Sequence, residues 1–253
     1  MNRTKLQLNC DLGESYGAWS MGMDAAVMPL IDMANIACGF HAGDPLTLSR
    51  TVSLAKQHHT QIGAHPSYPD LVGFGRRSMQ CSPQELIALL HYQIGALQGI
   101  CQAQDVSISY VKPHGALYND MLRQPAILRA VVQAIAKYDV NLPLMVLAQS
   151  DNRNVQKIAD EFSVTLLFEA FADRAYEDDG QLLSRQQPGA VFQDAEQIIN
   201  QALQLAEQGI IKTIHGQSLA LNADSLCVHG DNQASVQALQ QLRQALDDFY
   251  AQA

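Results

Sequence analysis

The segment NIACGFHAGDP, residues 35–45, contains the pattern from which the fold can be predicted. It begins as an apolar run typical of a buried strand and bends at two glycines, which suit turns with positive φ. It then reaches Asp44 and Pro45, a cap residue followed by a proline that favours the first helical position. The segment therefore predicts the junction of a parallel β/α unit, with His41 at the turn.

The same alternation of short apolar runs and longer amphipathic runs continues along the chain. The predicted strands are 5–11, 31–38, 60–65, 107–113, 142–148, 164–170 and 224–230. The predicted helices are 44–59, 82–104, 124–138, 151–161, 193–209 and 231–251. Strands that alternate with helices of this length indicate parallel β/α units. We therefore expect an α/β barrel formed by one domain over residues 1–253, with an open doubly wound sheet as the alternative.

Several helix starts and three long loops can be predicted from the sequence. Ser82, Pro83 and Glu85 form a pattern typical of a capped first turn, and Asp151 and Asp231 can cap the helices that follow them. The long loops are 12–30, 66–81 and 171–192. The last is long enough to serve as a lid or as a partner-binding loop.

Composition excludes several classes of function. The 253 residues are 47% hydrophobic, and 16 basic against 25 acidic residues give a formal net charge of −9. No cluster of Lys and Arg is dense enough for nucleic-acid binding, and no apolar run approaches the roughly 20 residues that span a bilayer. The N-terminus has no apolar core typical of a signal peptide.

Cysteine usage predicts a reduced, cytoplasmic compartment. The five cysteines are scattered without CxxC spacing, which argues against a disulfide framework and against a structural zinc site. Cys38 and Cys227 have no activating base beside them in the sequence, so we interpret them as packed small residues.

Polar residues collect where the predicted strands end. Barrel active sites form at the carboxyl ends of the strands and in the loops that follow. Four of the eight histidines lie there, next to Gly or Pro, and acidic or basic residues accompany them. The candidate site residues are Asp11, His41, His65, Lys112, His114, Glu169, Arg174, His229 and Asp231.

Single members of this set also have structural explanations. Capping accounts in part for Asp44 and Asp231, and one histidine before a proline is consistent with core packing. Lys112 is different, because a lysine near the end of an apolar strand needs an anionic partner when it is buried.

Two chemical interpretations fit the set. In the first, Asp11, His41 and His65 bind a divalent metal that activates water. In the second, carboxylates and histidines act as general acids and bases on a small acidic substrate held by Lys112 and Arg174. No glycine-rich phosphate loop is present in either case.

Six motifs resemble those of the LamB/YcsF family. They are LNCDLGE (8–14), ANIACGFHAGDP (34–45), IGAHPSYPD (62–70), VKPHGALYN (111–119), FEAFADRAY (168–176) and CVHGD (227–231). The resemblance runs in order over nearly the whole chain. It implies a distorted seven-stranded, TIM-like β/α barrel of the glycoside hydrolase/deacetylase type.

The resemblance also implies a function. Members of this family act as the A subunit of a bacterial ATP-dependent 5-oxoprolinase, which opens 5-oxo-L-proline to L-glutamate with ATP as co-substrate of the complex. Two further subunits, B and C, are implied as partners. Because this chain has no phosphate loop, we expect a partner to carry out the phosphorylation.

The motif positions are the candidate site residues given above. We expect a catalytic group comprising Asp11, His41, His65, Glu169 and His229. We expect a substrate-binding group comprising Lys112, His114, Arg174 and Asp231. Two alternatives stay open: a non-catalytic substrate-binding component of the same complex, and a metal-dependent deacetylase or amidohydrolase.

Overall fold

A closed barrel of seven parallel strands forms the centre of the protein, for which the computed structural model describes residues 5–230 and 232–252. The strands are β1 (Gln7–Leu12), β2 (Met33–Ala37), β3 (Gln61–His65), β4 (Tyr110–Val111), β5 (Leu144–Leu147), β6 (Leu166–Phe171), β7 (Ile210–Lys212), β8 (Ser218–Ala220) and β9 (Ser225–Val228). The barrel closes because β9 pairs with both β6 and β1, whereas β7 and β8 form a separate antiparallel ribbon. The prediction of a closed seven-stranded barrel is confirmed, and the open-sheet alternative is wrong.

Helices surround the strands and connect most of them. They are α1 (Asp24–Val27), α2 (Pro45–His58), α3 (Pro83–Gln102), α4 (Gly115–Arg123), α5 (Pro125–Asp139), α6 (Arg153–Asp160), α7 (Ala195–Gln208) and α8 (Gln233–Gln252). A short 3₁₀ turn, Met28–Leu30, follows α1. No helix within the described ranges is long and apolar enough to cross a membrane.

All seven predicted strands and all six predicted helices are present, but the sequence did not predict α1, α4 or the β7–β8 ribbon. Helix α4 begins at Gly115, which has φ +57°, and it ends just before Pro125. Glycine and proline favour turns, and the sequence therefore predicted no helix for the nine residues between them.

Side-chain caps fix the starts of α2 and α3, as predicted. Asp44 accepts from the backbone N–H groups of Leu46 and Thr47, and Ser82 forms a complete capping box with Glu85. The predicted cap of α6 is wrong, because Asn152 occupies the cap position and Asp151 accepts from the Arg153 N–H instead. The predicted cap at Asp231 lies outside the described residues.

The barrel interior is apolar at one level and polar at the next. Met33, Tyr110 and Met145 pack together inside the barrel, with Leu167 against them. The parallel pairing places Asp11 beside Asn35 and Glu169 beside Ser225, in a layer of polar side chains. This polar layer contains the candidate site.

Candidate active site

Lys112 lies inside the barrel directly after β4 and is only 3% exposed. Its Nζ lies 2.9 Å from Glu169 Oε2 and 3.3 Å from Asp11 Oδ1. The same nitrogen is 3.1 Å from Asn9 Oδ1 and 3.3 Å from Cys227 Sγ. A buried lysine needs anionic partners, and this one has two carboxylates, one from β1 and one from β6.

Two asparagines connect the carboxylates to the barrel wall. Asn9 Nδ2 donates to Ser225 Oγ at 2.7 Å and lies 3.3 Å from Glu169 Oε2. Asn35 Nδ2 donates to Asn9 Oδ1 and to Asp11 Oδ1, each at 2.8 Å. We call Asn9, Asp11, Asn35, Lys112, Glu169 and Cys227 the lysine network. Sequence reasoning did not select the two asparagines as site residues, although polar side chains two positions apart on an apolar strand indicate an inward-facing row.

The charges of the lysine network stabilise one another. Burial opposes ionisation of Asp11, but His65 and Lys112 outweigh it and hold the pKa of Asp11 well below its usual value. Burial also disfavours charged Lys112, but Asp11, Cys227 and Glu169 raise its pKa well above the usual value. We conclude that Asp11 is an anion and Lys112 a cation at neutral pH.

Cys227 is more than a packed small residue. Its Sγ contacts Lys112 Nζ, which the sequence could not reveal because the two residues are 115 positions apart. Burial raises the pKa of Cys227 well above its usual value, against the opposing effect of Lys112. Cys227 is therefore a neutral thiol that accepts from the lysine. Burial likewise raises the pKa of Cys38 to about 12.

Three of the four strand-end histidines meet beside the lysine network. The rings of His41 and His114 stack with centroids 3.8 Å apart, and His65 meets both edge-on. Two carboxylates adjoin them: Glu14 Oε1 is 3.7 Å from His41 Nε2, and Asp11 Oδ2 is 3.4 Å from His65 Nε2. We call Glu14, His41, His65 and His114 the histidine group.

Each histidine of the group uses one nitrogen in a hydrogen bond to a neighbouring oxygen. His65 Nδ1 lies 2.6 Å from the Lys112 carbonyl oxygen, and His114 Nε2 lies 2.9 Å from the Phe74 carbonyl oxygen. His41 Nδ1 is 3.0 Å from Ser67 Oγ. Burial, and then the neighbouring histidines, lowers the pKa of His41 well below its usual value and that of His114 to about 3.

His229, the fourth histidine, belongs to a separate cluster at the end of β9. Its Nδ1 lies 2.6 Å from Asp173 Oδ2, and Arg185 Nη2 donates to its Nε2 at 2.8 Å. Burial acts to lower the pKa of His229, but Asp173 outweighs it and raises that pKa, while the pKa of Asp173 is lowered by His229 against the effect of burial. These three residues line a cavity of about 130 Å³ next to Phe192.

Arg174 holds the long loop. Its Nε donates to the Ala190 carbonyl oxygen at 3.1 Å and its Nη2 to the Leu183 carbonyl oxygen at 2.6 Å. Both acceptors lie in the predicted lid, residues 171–192. A direct contact of Arg174 with substrate stays a prediction. Asp231 lies outside the described residues, so its role also stays a prediction.

Three buried polar atoms near the lysine network and at Asp173 have no hydrogen-bond partner among the described residues: Glu169 Oε1, Tyr118 OH and Asp173 Oδ1. Tyr118 lies on α4, and burial, then the charge of Glu169 and a side-chain interaction with Glu169, raise its pKa well above the usual value, although the contact does not meet the geometry of a hydrogen bond. Buried polar atoms are normally paired, so unpaired ones indicate positions where a bound molecule supplies the partner. Sequence reasoning missed Tyr118 because it did not predict α4.

The fold and the site together define a β/α-barrel protein whose candidate site lies at the carboxyl ends of its strands. The chain belongs to the LamB/YcsF family, whose model matches residues 6–252. This confirms the resemblance found in the motifs.

Several named proteins are similar in sequence to this chain over almost its full length. The chain is 61% identical to the 5-oxoprolinase A subunit of Pseudomonas fluorescens (strain Pf0-1), over 97% of this chain and 98% of that protein. It is 54% identical to the 5-oxoprolinase A subunit of Vibrio campbellii, over 97% of each. Among solved structures, the lactam utilization protein from Thermus thermophilus matches with a TM-score of 0.91 and 40% identity, over 98% of each chain.

Proposed function

We propose that this chain is the A subunit of an ATP-dependent 5-oxoprolinase, which opens 5-oxo-L-proline to L-glutamate in a complex with the B and C subunits. The observation that carries the proposal is the pair of carboxylates around buried Lys112, together with Glu169 Oε1 and the Tyr118 hydroxyl, which have no hydrogen-bond partner among the described residues. The names of similar proteins support the same activity.

The unpaired atoms match the polar groups of a lactam. A lactam has one N–H donor and one carbonyl acceptor on the same side of its ring. Glu169 Oε1 would accept from the lactam N–H, and the Tyr118 hydroxyl would donate to a substrate oxygen. Lys112 is already engaged with two carboxylates, so we assign it to orienting them rather than to holding the substrate.

The reaction needs activation because an unstrained lactam carbon is a poor electrophile. In the proposed sequence, a partner transfers the γ-phosphoryl group of ATP to the lactam oxygen. Water then adds to the ring carbon while Asp11 accepts its proton, and the C–N bond breaks as the nitrogen takes up a proton. A second water releases phosphate from the resulting acyl phosphate, which gives glutamate, ADP and phosphate.

Reconstitution with purified B and C subunits tests the proposal. We expect ATP-dependent glutamate formation only when all three subunits are present. Asp11→Asn should reduce kcat by about 100-fold or more with little change in KM. Exposed Asp248 provides the matched control, and Asp248→Asn should retain wild-type turnover.

Two other outcomes would change the assignment. If Asp11→Asn and His65→Ala retain kcat but weaken 5-oxoproline binding, the chain serves only to bind substrate, with the catalysis located elsewhere. The three clustered histidines favour a second candidate, a metal-dependent deacetylase or amidohydrolase. That activity would appear in the chain alone, without ATP.

A cytoplasmic location is part of the proposal. All five cysteines are free thiols, and four of them are buried. Unpaired cysteines fit a reducing compartment, where ATP is also available.

A further inference from the structure

The hydrogen bonds of the histidine group fix which nitrogen of each ring carries the proton. A carbonyl oxygen only accepts, so His65 donates from Nδ1 to Lys112 and His114 donates from Nε2 to Phe74. The other nitrogen of each neutral ring then carries no proton and can only accept a hydrogen bond or bind a metal ion; we call such a nitrogen bare.

His41 follows the same rule through a serine. The Ser67 hydroxyl is 2.8 Å from the Tyr68 carbonyl oxygen and 3.0 Å from His41 Nδ1. A hydroxyl has one proton, and the carbonyl needs it, so both contacts are hydrogen bonds only if His41 Nδ1 donates. His41 Nε2 is then bare as well.

The three bare nitrogens face one another in the interior of the group. His65 Nε2 and His114 Nδ1 are 2.9 Å apart, a distance at which two lone pairs repel unless a cation lies between them. His41 Nε2 is buried and has no hydrogen-bond partner among the described residues. With an oxygen of Glu14, these atoms all lie within 4.8 Å of one another.

A single proton does not satisfy this arrangement. It can bridge His65 and His114, but it leaves His41 Nε2 buried and unpaired, which costs about 1–3 kcal/mol. An ion at the centre of the group bonds to all three lone pairs at once. Outward N–H groups held by carbonyl or hydroxyl oxygens are also the usual outer support of metal-bound histidines.

We propose that Glu14, His41, His65 and His114 bind one divalent transition-metal ion of the zinc class. Three imidazoles and one carboxylate suit zinc, cobalt and iron and are a poor match for calcium or magnesium. The set differs from the Asp11, His41 and His65 set predicted from sequence. Asp11 Oδ2 lies 3.4 Å from His65 Nε2, and Asp11 Oδ1 accepts from Asn35 and Lys112. The ligand atoms that all lie within 4.8 Å of one another are those of Glu14 and the three histidines, so Glu14 rather than Asp11 completes the set.

This metal site does not depend on the proposed function, because its test measures binding rather than turnover. Chelator-treated protein is incubated with a small excess of ZnCl₂, freed of unbound metal by gel filtration, and analysed for zinc. We expect one zinc ion per chain. Cobalt in place of zinc should give visible d–d absorption bands that are characteristic of nitrogen and oxygen ligands.

Variants locate the ion. His41→Gln and His114→Gln should each weaken zinc affinity by roughly 100-fold or more, and Glu14→Gln by roughly 10-fold or more. His91 provides the matched control, because its Nε2 bonds to the Ala134 carbonyl oxygen on the outer helices. His91→Gln should bind zinc as the wild type does.

Three results would overturn the proposal. The first is a wild-type protein that retains less than about a tenth of an equivalent of zinc. The second is a His41→Gln variant that binds zinc as the wild type does. The third comes from ¹⁵N spectra of the metal-free wild type, which need no variant to fold. The proposal requires the Nδ1–H tautomer at His41 and His65 and the Nε2–H tautomer at His114, and the opposite tautomers would exclude converging lone pairs.

Discussion

The lysine network and the histidine group lie side by side in the barrel, but they differ in how far their polar atoms are paired. Lys112 has four acceptors within 3.3 Å, and two asparagines add further hydrogen bonds around it. In the histidine group, one ring nitrogen of each histidine donates to a protein oxygen, and the other ring nitrogen faces the interior of the group without a donor. The difference indicates that the chain itself satisfies Lys112 and leaves only Glu169 Oε1 of that network for a bound molecule, whereas the histidine group needs an ion to pair its three inward-facing nitrogens.

The largest expected effect comes from Lys112→Met. Removal of the cation leaves buried Glu169 without its charged partner and takes one of the partners of the partly buried Asp11, which should reduce the free energy of unfolding by about 3–5 kcal/mol. Urea denaturation measures it. The exposed Lys157→Met serves as control and should stay within about 0.5 kcal/mol. A loss below about 1 kcal/mol for Lys112→Met would mean that the network does not stabilise the fold.

His41→Gln tests the other region. In metal-free protein its Nε2 has no hydrogen-bond partner among the described residues, and the glutamine amide can replace Nδ1 as the donor to Ser67. We therefore expect a change of no more than about 1 kcal/mol. At a zinc concentration about 100 times the Kd, the wild type should gain about 2.7 kcal/mol and the variant almost none. Thermal unfolding with and without zinc measures both quantities. If zinc does not stabilise the wild type, the histidine group does not need a metal ion, and the proposed difference between the two regions is wrong.

Gly63→Ala tests the packed layer beneath the lysine network. A Cβ at Gly63 would overlap the ring of Tyr110, whose hydroxyl donates to Asn35. Overpacking here should cost about 1–3 kcal/mol, measured by urea denaturation. Gly99 is the matched control, because a Cβ there meets no atom within 4 Å on helix α3, and Gly99→Ala should be neutral or slightly stabilising. An equal effect of the two substitutions would contradict the packing explanation.

The smallest expected change in stability concerns the ion pair of Asp173 and His229 at the end of β9, and its size depends on pH. The raised pKa of His229 gives stability that is present below about 6.5 and is lost as pH rises through the folded value. The lowered pKa of Asp173 gives stability that is present above about 3.9 and is lost as pH falls through its folded value.

Asp173→Asn should therefore destabilise most between these limits, by about 1–2 kcal/mol near pH 5.5, and less at about pH 9. Thermal unfolding at the two pH values measures the difference. The Arg185 guanidinium donates to His229 Nε2 and must move away when that nitrogen is protonated, which limits the size of the effect. A loss that is larger at the alkaline pH than at the acidic one would contradict a charged pair.

Local patterns were enough to predict the strands, the main helices and the caps at Asp44 and Ser82, because each depends on residues within a few positions of one another. They were also enough to place His41, His65 and His114 at strand ends. Local patterns did not predict α4, because the glycine and proline at its ends are typical of turns. Tyr118, which lies on α4, was therefore not selected as a site residue. The contacts of Arg174 with loop carbonyls could not be predicted either, because every residue has a backbone carbonyl and the sequence does not show which one is an acceptor.

The sequence by itself determined the order of β/α units, the family and the end of the barrel where polar residues collect. Only the tertiary structure decided which of these residues touch. Barrel closure pairs β9 with β1, and it brings Lys112 to Cys227 and Asn9 to Ser225 across more than a hundred positions. It also separates His229 from the other three histidines and turns their bare nitrogens toward one another. Strand periodicity fixes which way a side chain faces, but the partner it meets depends on the stagger between distant strands, which no local pattern encodes.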